Sequence, residues 1–215
     1  MKAPRFTLVT DGPTDGDMLV PILEWLLRTR CPSLSVKVEY ADTRGRMVSK
    51  GLHQKIAFAL ENYPCECLFI HRDAEKEPAD NRRDEIRNAI ESLGAKKPAA
   101  HLCVVPIRMS EAWLLIDEPA IRRAAGNPNG RIRLEMPRRS AIEGLPDPKR
   151  LLHELLVTAS ELNGRRRKSF ESKTNPHLVA RFIDDFSRLR ELAAFQALES
   201  DIQQIVREKR WNATG

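Results

Sequence analysis

Arg5-Phe-Thr-Leu-Val-Thr-Asp-Gly-Pro-Thr-Asp-Gly-Asp17 is the stretch on which the reading of this chain turns. Arg5–Thr10 is a short apolar run of the kind that forms a buried strand. Asp11–Asp17 then breaks it with Gly, Pro and Asp, the residues of turns. From Met18 to Arg30, Leu19, Ile22, Leu23, Leu26 and Leu27 recur at helical spacing. A strand that runs through an acidic turn into an amphipathic helix is the opening unit of a parallel α/β sheet.

The pattern repeats outward from there. Leu34–Tyr40 alternates with period two and reads as a strand, and Val48–Tyr63 reads as a helix. Cys67–His71 (CLFIH) is a second continuous apolar run, followed by a charged helix over Arg82–Leu93. His101–Pro106 gives a further strand, and Ser110–Ile116 opens another helix. Alternating strands and helices predict a mainly parallel sheet, covered by helices on both faces. Such sheets carry their functional loops at the carboxyl ends of the strands.

Past Ala120 the character changes. Gly126–Gly130 is a turn cluster, and the prolines at 137, 146 and 148 keep Arg131–Pro148 irregular. Asp147-Pro148 is a helix start, with Asp as cap and Pro at the first helical position. Leu151–Leu162, His177–Leu192 and Ala197–Lys209 read as helices, with Asn163–Pro176 a basic connector. The expected organisation is an α/β domain over 1–120 and a basic, mostly helical extension over 121–215.

Composition narrows the function. The 215 residues are 41% hydrophobic and 31% charged, so a core can form, and no apolar run approaches the roughly 20 residues of a spanning helix. No signal-peptide pattern opens the chain, and a cytoplasmic location is expected. The cysteines at 31, 65, 67 and 103 lack paired C-x-x-C spacing and read as reduced thiols. The net charge of +6 is uneven: Arg122–Arg190 holds 16 Lys/Arg against 8 Asp/Glu. A basic half beside acidic loops suits a polyanion partner.

Three groups carry candidate chemistry. Asp11, Asp15 and Asp17 follow the first strand, and three carboxylates in seven residues call for a cation or a basic neighbour. Read structurally, Asp15 or Asp17 simply caps the next helix. Asp73 and Glu75, in His71-Arg72-Asp73-Ala-Glu75, follow the CLFI strand and make a hard-oxygen pair suited to Mg²⁺ if the backbone stays extended. Ser110 and Glu111 open the next helix, where Ser110 can cap and Glu111 can face the helix dipole. Asp11 and Asp73 lie 62 residues apart at strand ends that can be neighbours in a parallel sheet. Converging carboxylates of this kind suit metal-assisted displacement at phosphorus.

An acid with Gly-x-Thr-Asp after the first strand, and Asp-x-Glu after a later one, resembles the Toprim domain of topoisomerases, bacterial primases and overcoming-lysogenization-defect nucleases. The segment V-P-I-R-M-S-E-A-W-L-L is similar to small bacterial Toprim-like proteins. The resemblance covers roughly residues 5–120. It implies a Toprim/Rossmann-like fold and Mg²⁺ (or Mn²⁺) held by Asp11, Asp15, Asp73 and Glu75. It also implies nuclease chemistry by Asp11, Asp73, Glu75 and Glu111, with a downstream basic residue, Lys168 or Lys173. Asp11 stands where most Toprim domains have glutamate, and Glu75 stands for the second aspartate. Arg72, Arg165, Arg166, Arg167 and Lys173 are the candidate phosphate contacts, with DNA expected ahead of RNA. The implied setting is phage or plasmid defence, with an ABC-type ATPase as partner, since this chain has no G-x-x-x-x-G-K-[ST] loop of its own. A homodimer is compatible with this. The competing expectations are a regulatory Toprim-like module that binds without cutting, and a phosphoryl-transfer enzyme with a small substrate.

Overall fold

The computed structural model describes residues 4–32, 35–44, 46, 48 and 51–211. The sheet has four strands, β1 (Phe6–Val9), β2 (Val38–Tyr40), β3 (Cys67–His71) and β4 (His101–Val104). All pair parallel, in the order β2-β1-β3-β4. The linking helices are α1 (Asp15–Arg30), α2 (Leu52–Asn62) and α3 (Ala79–Glu91). The chain is therefore α/β with a parallel sheet, as its strand–helix rhythm predicts. Leu34 of the expected second strand, and Ser49 and Lys50 of the expected second helix, lie outside the described residues.

The order has a consequence for function. From β1 the chain steps one way to β2, then returns past β1 to add β3 and β4 on the other side. Right-handed crossovers then put α1 on one face and α2 with α3 on the other. Side-chain burial follows this division. Phe6, Leu8, Phe69, Leu102 and Val104 pack with α1 on the first face. Leu68 and Ile70 pack with Ile56 and Ala59 of α2 and Ile86 and Ile90 of α3 on the second. The reversal of direction falls between β1 and β3, and the carboxyl ends of strands at such a switch point are where ligands of these sheets bind.

Residues beyond 120 add their apolar side chains to the first face. Helices α4 (Glu118–Ala124), α5 (Pro148–Ala159), α6 (Gly164–Lys173) and α7 (Ala193–Glu208) complete the chain. Ile121, Leu156, Phe195 and Ile202 share one core with Phe6, Leu23 and Trp113. Trp113 and Phe195 meet edge to face at 5.6 Å. Buried Glu199 on α7 accepts from Arg30 on α1 at 2.6 Å and from Arg190 at 2.9 Å. The Glu199 charge is thus buried with its partners in place, the two arginines staying about a third exposed, and α7 is tied to α1. Asp147 caps α5 through Arg150 N–H at 2.8 Å, with Pro148 at the first position, as expected.

Four local expectations give way. The basic connector forms α6 across Gly164–Lys173. Its face has no apolar period to signal a helix, yet Arg, Lys and Glu are good helix formers and Phe170 docks it on the core. The long helix expected over His177–Leu192 is two 3-10 turns, Pro176–Phe182 and Ser187–Glu191. Between them Asp185 accepts from Ser187 N–H at 2.9 Å, an Asx turn that competes with helical bonding. The helix expected from Ser110 is a 3-10 turn, Ser110–Leu114. Neither Asp15 nor Asp17 caps α1: Thr14 holds that position without a side-chain bond.

The cysteines are all free, with Cys31 and Cys67 buried. Burial pushes the Cys67 thiol up to about 12, so it is inert. Among the described residues no helix is long and apolar enough to cross a membrane.

Candidate functional site

The switch point between β1 and β3 is organised around His71, the last residue of β3. Its ring is fully buried on the first face of the sheet. Nδ1 lies 3.5 Å from Asp15 Oδ2, and Nε2 lies 3.1 Å from Asp73 Oδ1. One imidazole thus spans two carboxylates, one from the first residue of α1 and one from the loop after β3. Nδ1 makes no hydrogen bond.

Asp73 is held from three directions. Its Oδ1 accepts from Ser110 N–H at 2.9 Å and Ser110 Oγ at 2.8 Å, besides its contact with His71. Burial works against the charge of Asp73, but the bonds from His71 and Ser110 prevail and hold its carboxyl below the ordinary value. Ser110 therefore orients a site carboxylate instead of capping a helix. Its Oγ also lies 2.8 Å from His71 Nε2.

Asp15 sits at the start of α1 and turns back, accepting from Gly12 N–H at 2.8 Å. Here burial dominates, and its carboxyl is pushed above the ordinary value, with His71 and the Gly12 bond opposing only in part. Gly16 follows because a Cβ there would stand 2.6 Å from the Tyr40 ring. Tyr40 Oη in turn donates to Pro13 O at 3.2 Å and holds the loop.

The other predicted residues are placed differently. Asp11 is paired with Arg72, and Lys55 on α2 donates to its backbone oxygen at 2.6 Å. Arg72 continues to Glu85 at 3.0 Å, so it serves this pair and is not a free phosphate contact. Glu75 is exposed and turns toward Arg82, 3.5 Å away. Its backbone is left-handed (φ 54°), so the extended geometry that would align it with Asp73 is absent. Asp17 faces Arg181 at 3.4 Å. Buried Glu111 contacts His177 at 3.3 Å and Lys149 at 3.7 Å. Burial works against its charge, but the hydrogen bond with His177 and the nearby Lys149 ammonium hold its carboxyl below the ordinary value. Arg165, Arg166, Arg167, Lys168 and Lys173 stand exposed on α6. They make no hydrogen bond or ion pair with the acidic rim among the described residues.

His71 is legible in the sequence only as the residue that ends an apolar strand next to an acid. Lys55 and His177 carry no such signal: each reaches the rim through an element distant in the chain.

The chemistry of the donor set can be tested against Mg²⁺. Among the described residues no group of three or more His, Cys, Asp and Glu side chains is arranged around a metal position. Mg²⁺ commonly takes only one or two carboxylates and fills its shell with water and phosphate oxygens. Asp15 and Asp73 flank His71 from its two ring nitrogens, with side chains 16% and 22% exposed. No hydrogen bond among the described residues claims Asp15 Oδ1 or Asp73 Oδ2. Asp11, neutralised by Arg72, and Glu75, turned outward, do not join them.

Comparison with protein-family models, with curated proteins and with solved structures finds no match for this chain.

Proposed function

We propose that this chain is a Mg²⁺-dependent phosphodiesterase acting on nucleic acid, with its reaction centre at Asp15, His71 and Asp73. The observation that carries the reading is the convergence of two carboxylates on one buried imidazole at the switch point of the sheet. Asp15, pushed toward its neutral form by burial, is a carboxylate that a bound cation would stabilise. Asp15 and Asp73 would hold the ion, which supplies Lewis-acid polarisation of a phosphoryl oxygen. The protein's own groups do the rest. Ser110 and His71 fix the orientation of Asp73. The cations of α6 offer a backbone-directed path for a polyanion. The resemblance to Toprim nucleases points the same way, and so does the basic surplus over Arg122–Arg190.

One observation favours a second reading, a Toprim-like module that binds without cutting. Asp11, which the resemblance makes catalytic, is neutralised by Arg72.

The deciding assay incubates the protein with plasmid DNA and RNA in Mg²⁺, Mn²⁺ or EDTA. Wild type is compared with Asp73→Asn, Asp15→Asn and Asp11→Asn. Metal-dependent cutting that falls at least about 100-fold in the first two variants is expected, since each removes a charge from the reaction centre. Cutting that persists in Asp73→Asn refutes the assignment, and binding without cutting in wild type supports the second reading.

A further inference from the structure

Beside Asp73 lies a cavity of about 410 Å³, walled by Glu75, Lys76, Arg82, Arg108, Met109 and Pro146. It opens where the loops after β3 and β4 are joined. Ala74 N–H donates to Pro106 O at 3.0 Å, and Glu75 N–H donates to Arg108 O at 2.8 Å. Both Glu75 and Arg108 are left-handed, with φ of 54° and 66°. A side-chain-bearing residue in that region is strained, and here two such residues face each other across one hydrogen bond.

The charges around the cavity are unequally engaged. Glu75 faces Arg82, and Glu77 accepts from Asn81 at 3.0 Å. Arg82 itself is engaged by Glu85 at 2.6 Å and donates to Asp73 O at 3.2 Å. Arg108 and Lys76, by contrast, make no side-chain hydrogen bond or ion pair among the described residues. Glu75 and Arg82 thus have partners, and Arg108 and Lys76 are left as the cations on the cavity wall without an ion-pair partner among the described residues. Met109 and Pro146 add an apolar wall.

We infer that this cavity is a nucleotide subsite of the polynucleotide substrate: Arg108 and Lys76 grip the phosphate next to the scissile one, and the sugar or base rests on Met109 and Pro146. Two unpaired cations with an apolar wall match one nucleotide, which has an anionic and an apolar end. The subsite's part in catalysis rests on the phosphodiesterase reading, but its occupancy does not.

The test therefore reads binding in EDTA, by calorimetry on the full chain. The probes are AMP, inorganic phosphate and a short single-stranded oligodeoxynucleotide. Saturable AMP binding is expected, tighter than that of phosphate and weaker than that of the oligomer. Arg108→Glu and Lys76→Glu should each weaken AMP by about tenfold or more, the value of one charge-assisted hydrogen bond. Arg108→Lys should retain most of the binding, and circular dichroism would confirm that each variant folds. AMP binding that is absent, or unchanged by both reversals, overturns the subsite. Phosphate binding as tightly as AMP overturns its nucleotide character, and the oligomer binding no tighter than AMP overturns its place on a polymer. A protein that binds AMP through Arg108 yet never cuts would sink the catalytic reading and leave the subsite standing.

Discussion

Ser110→Ala offers a direct measure of how firmly the site is built. The substitution removes the Oγ bond to Asp73 Oδ1 and the Oγ contact with His71 Nε2, both at 2.8 Å, and leaves the Ser110 N–H bond at 2.9 Å and the His71–Asp73 contact in place. Ser110 is 1% exposed, so water cannot take over the lost donor. A hydrogen bond to a charged group contributes about 1.5–3 kcal/mol, and with two donors remaining we expect a loss of about 2 kcal/mol. For a chain of this length that is a fall in Tm of about 4–8 °C. The loss should depend on pH. The Asp73 carboxyl is depressed in the fold, so between its folded value and the ordinary 3.8 the native state binds fewer protons than the unfolded chain. The stabilisation is fully present above 3.8 and disappears as pH falls through the lower folded value. Thermal melts of wild type and variant at pH 7, and again well below 3.8, give the two penalties. A double-mutant cycle with Asp73→Asn should shrink the Ser110→Ala penalty to about 1 kcal/mol, that of a neutral hydrogen bond. An unchanged Tm at pH 7, or a penalty equally large without the Asp73 charge, would refute the reasoning.

Asp15→Asn should act in the opposite sense. The Asp15 carboxyl is raised by burial, so its ionisation costs stability as pH rises through the window above 3.8. The variant should melt higher than wild type at pH 7, lose that advantage below 3.8, and no longer gain stability from added Mg²⁺; a lower Tm at both pH values would contradict this. Gly16→Ala would bring a Cβ to 2.6 Å from the Tyr40 ring and should cost about 1–3 kcal/mol by denaturant unfolding, despite the better helix propensity of Ala. A stabilised Gly16→Ala would show that the ring yields freely. The triple charge reversal of Arg165, Arg166 and Arg167 to Glu should leave stability within about 0.5 kcal/mol, since all three are exposed. It should flatten the salt dependence of oligonucleotide binding, by up to about 3 in the log–log slope if each residue meets a phosphate. An unaltered slope would remove α6 from the binding path.

The amino-acid sequence alone determined the architecture of this protein. Arg5–Thr10 and Cys67–His71 are continuous apolar runs because strands buried on both faces tolerate few polar side chains. The helices between them show a single apolar stripe because one side meets the sheet. It also placed Asp15 and Asp73 at strand ends, since turn residues and acids follow those runs directly. Tertiary structure decided which acids act together. The order β2-β1-β3-β4 makes the two loops neighbours, a long-range pairing that no local pattern encodes. Packing then assigned each carboxylate its partner: Asp11 to Arg72, Glu111 to His177, and Asp15 and Asp73 to His71. Spacing in the chain counts residues, whereas a charge responds to what lies within a few ångströms. Asp73 and His71 are close in the chain, but the other partners come from elements more than 50 residues away, so only the folded chain could choose among them.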